Sequence, residues 1–162
     1  MASSKPPESA DSSPCPGPAA TTWLRGLEAS TPADLGPLQL AWLGDAVWEL
    51  HQRLRQCRQP GRPATLHRAV VAAVEASAQA RALQCLEPLL SQEELALVRR
   101  GRNSAAKATR RSNPALYGQA KGFETMLGWL FLRNPRRLAE LLDQLEKTEP
   151  PPRRPSPHEP VP

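Results

Sequence analysis

Apolar residues recur along this chain at three- and four-residue spacing, and no segment alternates apolar with polar positions long enough to make a strand. The pattern predicts an all-α fold. Leu38, Ala41, Trp42, Asp45, Ala46 and Glu49 share one face of a helix that Gly36-Pro37 opens and that runs to about Cys57. Gln59-Pro60-Gly61-Arg62-Pro63 stops it. An alanine-rich pattern then predicts one long helix from Pro63 to about Leu86, with Leu66, Ala69, Val70, Ala73, Val74 and Ser77 inward and Pro88 closing it. Ser91-Gln92-Glu93-Glu94 is a capping box, and Gly101 after Arg99-Arg100 reads as a helix stop. Arg102–Ser112 has no periodicity and reads as a mobile surface loop. Asn113-Pro114 caps a strongly apolar helix over Tyr117–Leu132, and Asn134-Pro135 repeats the device before a last helix ending near Lys147. Earlier, Trp23–Glu28 suits a short helical turn, and Thr31-Pro32-Ala33-Asp34 a helix cap.

Composition narrows the domain. Of 19 prolines among 162 residues, twelve lie within 1–20 or from Pro150 onward. Those two segments, 1–20 and 150–162, read as disordered tails around one domain of 129 residues, Thr21–Glu149, enough for a single core. The start of the chain lacks the apolar run of a secretory signal, and no stretch is apolar enough to span a membrane. Cys15, Cys57 and Cys85 are scattered and include no CxxC pair, which argues against disulfides and zinc. A reducing cytoplasm is the plain setting. The net charge of +5 is unevenly spread, since Arg99–Lys121 holds seven cations and no acid. These are Arg99, Arg100, Arg102, Lys107, Arg110, Arg111 and Lys121, a patch suited to nucleic-acid phosphates.

Two acids interrupt otherwise apolar helices. Asp45 follows Gly44, and Glu124 stands one turn before Gly128. Glycines there let two backbones approach and bring both carboxylates to one point. A buried carboxylate costs several kcal/mol unless paired, and either an arginine or a cation would relieve it. Two hard oxygen donors on facing helices suit Mg²⁺, with Mn²⁺ as a substitute. Glu49 lies one turn beyond Asp45, either as a salt-bridge partner or in support of the site. His67 is more readily structural than a general base, and with Arg68 it suits substrate contact. One tyrosine and two phenylalanines, all in apolar helices, offer no platform for stacking unpaired bases. Readout of duplex shape fits better.

Trp42-Leu43-Gly44-Asp45-Ala46-Val47-Trp48-Glu49-Leu50 resembles the nuclease signature of the ribonuclease III family. Gly122-Phe123-Glu124-Thr125-Met126-Leu127-Gly128 resembles its second acidic helix. Between them, Leu66-His67-Arg68-Ala69-Val70, Ser77-Ala78-Gln79-Ala80 and Arg100-Gly101-Arg102-Asn103 resemble the short branch called Mini-ribonuclease III. The resemblance covers about Leu35 to Glu146. It implies the ribonuclease III nuclease fold, an endoribonuclease acting on double-stranded RNA, and Asp45 and Glu124 as catalytic metal ligands. It further implies a homodimer that matures the large-subunit ribosomal RNA precursor, aided by a ribosomal protein.

Two positions depart from full-length ribonuclease III. Ala41 stands four residues before Asp45 where that enzyme has glutamate, and Lys121 stands three before Glu124 where it has aspartate. Alanine at the first position also resembles the Mini branch. A lysine at the second either competes with a metal, if it points inward, or reaches outward to phosphate. With only a short proline-rich tail after Lys147 there is no room for a separate RNA-binding domain, so affinity should be modest and salt-dependent. The rival reading is a catalytically silent RNA-binding or ribosome-assembly factor. Ala41 and Lys121 favour it, and the intact acid pair opposes it.

Overall fold

A computed structural model of the chain describes residues 35–58, 60–106 and 113–148. These form six α-helices and one 3₁₀ turn, with no strand among the described residues: α1 Pro37–Cys57, α2 Pro63–Val74, α3 Ala76–Leu86, the 3₁₀ turn Glu87–Leu89, α4 Gln92–Ala106, α5 Pro114–Arg133 and α6 Pro135–Thr148. The all-α expectation holds. The readings of residues 1–34 and 149–162, including both tails, the 23–28 turn and the 31–34 cap, lie outside the described residues, as do Lys107, Arg110 and Arg111.

α5 is the axis of the domain. Gly122–Gly128 are buried without a break, and seven consecutive residues cover every side of a helix with 3.6 residues per turn. α1, α3, α4 and α6 pack around it. Trp48, Phe123, Leu127, Leu83, Leu86, Leu97, Leu138, Leu141 and Leu145 join in one core, with the Trp48 and Phe123 rings edge to face at 5.1 Å.

Polar side chains fix the helix ends as the sequence foretells. Asn113 Oδ1 accepts from the Leu116 amide at 3.1 Å and Asn134 Oδ1 from the Arg137 amide at 3.2 Å. The capping box forms, with Ser91 Oγ accepting from the Glu94 amide at 3.2 Å and Glu94 Oε2 from the Ser91 amide at 2.7 Å. At the far end, Arg58 donates to Glu146 at 2.9 Å and joins α1 to α6.

Three expectations need correction. The long helix from Pro63 to Leu86 is two helices, broken at Glu75, whose ψ of 149° is extended. The break removes a helical donor from the Ala73 carbonyl, and the Trp48 indole N–H replaces it at 3.0 Å. Gly101 does not stop its helix. α4 continues to Ala106 because Gly101 is a packing residue, where an added Cβ would stand 2.6 Å from the Lys121 carbonyl oxygen of α5. Residues 102–106 are therefore helical, and 107–112 lie outside the described residues.

The third correction concerns α1. Its buried face is Leu40, Ala41, Gly44, Trp48, Gln52 and Gln56, so the face named from the sequence is rotated. Trp42 and Leu38 point outward, 82% and 46% exposed. Gly44 turns the helix this way, since its bare backbone is the part that meets α5.

Candidate active site

Gly44 of α1 and Gly128 of α5 lie against each other's backbone. A Cβ on Gly44 would stand 2.7 Å from the Glu124 carbonyl carbon and 2.8 Å from the Gly128 nitrogen; one on Gly128 would stand 2.9 Å from the Leu40 carbonyl carbon. No side chain larger than hydrogen fits at either position. This contact brings the residue after Gly44, Asp45, beside the turn of α5 that carries Glu124. Asp45 is partly exposed, whereas Glu124 is buried at 3%.

A third side chain joins the pair from α3. Gln79 is buried at 2%, and its amide nitrogen lies 3.3 Å from Asp45 Oδ1, as donor to that carboxylate. The same amide works to lower the Glu124 carboxyl as well. The break at Glu75 makes this possible, because α3 starts afresh there and directs Gln79 into the gap between α1 and α5. Gln79 was not among the site residues expected from the sequence. Its one signal is the Ser77-Ala78-Gln79-Ala80 segment, where an amide stands among small residues.

Burial pushes the Glu124 carboxyl above its ordinary range. The Lys121 ammonium opposes this, the Asp45 charge adds to the rise, and the Gln79 amide again opposes it. Lys121 donates directly to Glu124 Oε2 from one turn earlier on α5. Of the two directions open to it, Lys121 thus takes the inward one. Thr125 is wholly buried, with its hydroxyl 2.7 Å from the Lys121 carbonyl oxygen and 3.0 Å from that of Pro37, which ties the α1 start to the same turn.

The remaining candidates spread outward. Glu49 is paired with Arg53 along α1. His67 and Arg68 are exposed near the start of α2, and Arg99, Arg100 and Arg102 are exposed on α4. Gly122 of α5 packs beside the Arg102 stem, so this basic face adjoins the turn that carries the acids.

The donors suit a hard divalent cation. Mg²⁺ binds through one or two carboxylates and keeps several waters, and a desolvated carboxylate whose charge is held back by burial gains from such an ion. Asp45 and Glu124 would hold it. Among the described residues no third His, Cys, Asp or Glu gathers with them.

Known proteins resemble this chain. The Ribonuclease III domain family matches residues 38–135, which include both acids, Gln79 and the exposed arginines of α4. Mini-ribonuclease 3 of a Synechococcus strain is 49% identical over 129 residues, spanning 78% of this chain and 94% of that protein. Mini-ribonuclease 3 of a Synechocystis strain is 47% identical, spanning 80% and 91%. A crystal structure of a Fusobacterium nucleatum protein superposes with a TM-score of 0.63 at 27% identity, covering 71% of this chain and 94% of that one. The chain therefore belongs to the ribonuclease III family of endoribonucleases, on the short branch of the Mini-ribonuclease 3 proteins.

Proposed function

We propose that this protein is a Mg²⁺-dependent endoribonuclease that cuts double-stranded RNA, acts as a homodimer in the cytoplasm, and matures the large-subunit ribosomal RNA precursor with help from a ribosomal protein. Mn²⁺ can replace Mg²⁺. The family acts on double-stranded RNA, often as dimers, and generally depends on a divalent metal. One observation carries the reading: Asp45, held by Gln79, lies beside the turn of the buried Glu124 where the glycines let α1 and α5 meet backbone to backbone.

When bound, the cation supplies a lowered pKa for an attacking water and neutralises charge on the leaving oxygen. The protein's own part is to hold that place. Gln79 orients the Asp45 carboxylate, Glu124 contributes a charge protected from bulk water, and the glycine contact keeps both in register. Glu49 supports the site from the next turn of α1. The exposed side chains His67, Arg68, Arg99, Arg100 and Arg102 suit phosphate contact along a duplex, with Lys107, Arg110, Arg111 and Lys121 extending the set. Among the described residues no helix is long and apolar enough to cross a membrane.

Asp45→Asn tests the reading on a long RNA duplex and on the ribosomal precursor, with Mg²⁺ and with chelator. It should abolish cleavage and leave duplex binding nearly unchanged. Wild-type cleavage by the variant would end the metal-site argument. Binding without cleavage by the unaltered protein, with Mn²⁺ also supplied, would identify a silent RNA-binding factor.

A further inference from the structure

The Lys121–Glu124 ion pair has one dry end and one wet end: the Glu124 side chain is 4% exposed and that of Lys121 is 22% exposed. The ammonium also stands over the Tyr117 ring, with Nζ 5.6 Å from its centre. The α4 face borders the same turn. A Cβ on Gly101 would stand 2.6 Å from the Lys121 carbonyl oxygen, and one on Gly122 would stand 3.0 Å from Arg102 Cγ. Arg99, Arg100 and Arg102 are exposed on this helix. Lys121 therefore pairs with the buried Glu124 on a turn of α5 that borders the arginine-bearing helix α4.

We propose that Lys121 is an exchangeable counter-ion, which neutralises Glu124 while the site holds no metal and passes its ammonium to an RNA phosphate when a divalent cation takes the carboxylate. The proposal rests on the metal-site reading above. Three features support it. Two carboxylates facing one gap repel each other, and a single ammonium balances only one of them, so a doubly charged ion displaces it. A lysine head on a flexible stem leaves without breaking a bidentate pair and rehydrates at its wet end. Finally, the arginines of α4 are exposed beside the turn of α5 that carries Lys121, and they draw phosphate to that neighbourhood.

Two consequences follow. Lys121 weakens metal binding, because the metal must displace it, and metal strengthens RNA binding by freeing a cation. By linkage, RNA strengthens metal binding by the same factor.

Mn²⁺ titration followed by electron paramagnetic resonance tests the first consequence. Lys121→Gln and Lys121→Met should bind Mn²⁺ about fivefold to tenfold tighter than wild type. Lys121→Arg, which keeps the charge, should not. Duplex RNA binding in chelator, where nothing is cut, tests the second. Glu124→Gln should bind several-fold tighter, with the salt dependence steeper by about one phosphate contact. The double variant Lys121→Gln/Glu124→Gln should lose that gain, which separates the freed lysine from simple removal of a negative charge. Wild-type or weaker Mn²⁺ affinity in both neutral variants would overturn the proposal. So would equal RNA affinity in the Glu124→Gln single and double variants. Mn²⁺ binding that is absent from wild type, or unaffected by Asp45→Asn, would instead overturn the metal site itself.

Discussion

Gly44 sets how closely α1 and α5 approach, and with it the placing of Asp45 beside the turn that carries Glu124. An alanine there places a methyl 2.8 Å from the Gly128 nitrogen, backbone that cannot rotate aside. The helices must part, which costs about 3 kcal/mol or more. Gly44→Ala should therefore lose both stability in urea and Mn²⁺ binding, although no ligand atom has been removed. Gly36→Ala is the control, since its added Cβ would meet only a Gln39 side-chain oxygen at 3.4 Å. Equal stability of the two variants would show that the glycine contact does not hold the site. The sequence makes Asp45 and Glu124 legible because an acid near a glycine in an apolar helix has few structural excuses. Gln79 is not legible in the same way. An amide in an alanine-rich run looks ordinary until the chain turns at Glu75, and neither glycine nor proline marks that turn.

The starts of α4, α5 and α6 are readable because their caps are local chemistry, three residues long. The break at Glu75 and the end of α4 are not, since packing decides them. α4 runs past Gly101 because the glycine serves α5, and α2 can stop at Val74 because the indole N–H of Trp48, on α1, donates to the freed Ala73 carbonyl. The tie between α4 and α6 shows the same dependence on distant partners. Arg137 donates to Glu94 Oε1 at 2.8 Å and to the Leu89 carbonyl oxygen at 2.7 Å. Burial works to raise the Glu94 carboxyl, but the Arg137 bond and charge, with the Ser91 bonds, together hold it below its ordinary 4.5. A depressed acid adds stability above its unfolded value and loses it as pH falls through the folded one. Arg137→Met should thus cost about 2–3 kcal/mol at neutral pH, leaving a buried carboxylate unpaired. The gap to wild type should narrow as pH falls, first as Glu94 of the variant protonates, since Arg137 no longer opposes the rise from burial, and then below 4.5 as the depressed Glu94 of wild type follows. Urea unfolding across pH 3–7 measures this, and a gap independent of pH would mean that lost packing alone explains the cost.

At the scale of the whole molecule, the rotated face of α1 matters most. Leu38, Trp42, Ala46, Leu50 and Leu54 recur every fourth residue, a single ridge, and all are exposed. Trp42, at 82% exposure, presents nearly all of the largest side chain to water. Such an aromatic on an apolar ridge is the usual anchor of an interface, and truncating an anchor costs about 2 kcal/mol or more of binding. In the proposed homodimer, a second copy of this chain meeting ridge to ridge about a twofold axis would cover each Trp42 with the partner's apolar row. The basic faces of two copies would then act on one duplex. Trp42→Arg should give a monomer in sedimentation at micromolar concentration, with an unchanged circular dichroism spectrum, because the residue contributes nothing to the core. The melting temperature of wild type should rise with protein concentration and that of the variant should not. Duplex binding should weaken, and its salt dependence should fall to about half, since half as many phosphates are neutralised. If the variant sediments as wild type does, the ridge is not the dimer contact. If wild type is itself a monomer without RNA, then the duplex brings the copies together, and Trp42→Arg should still halve the salt slope.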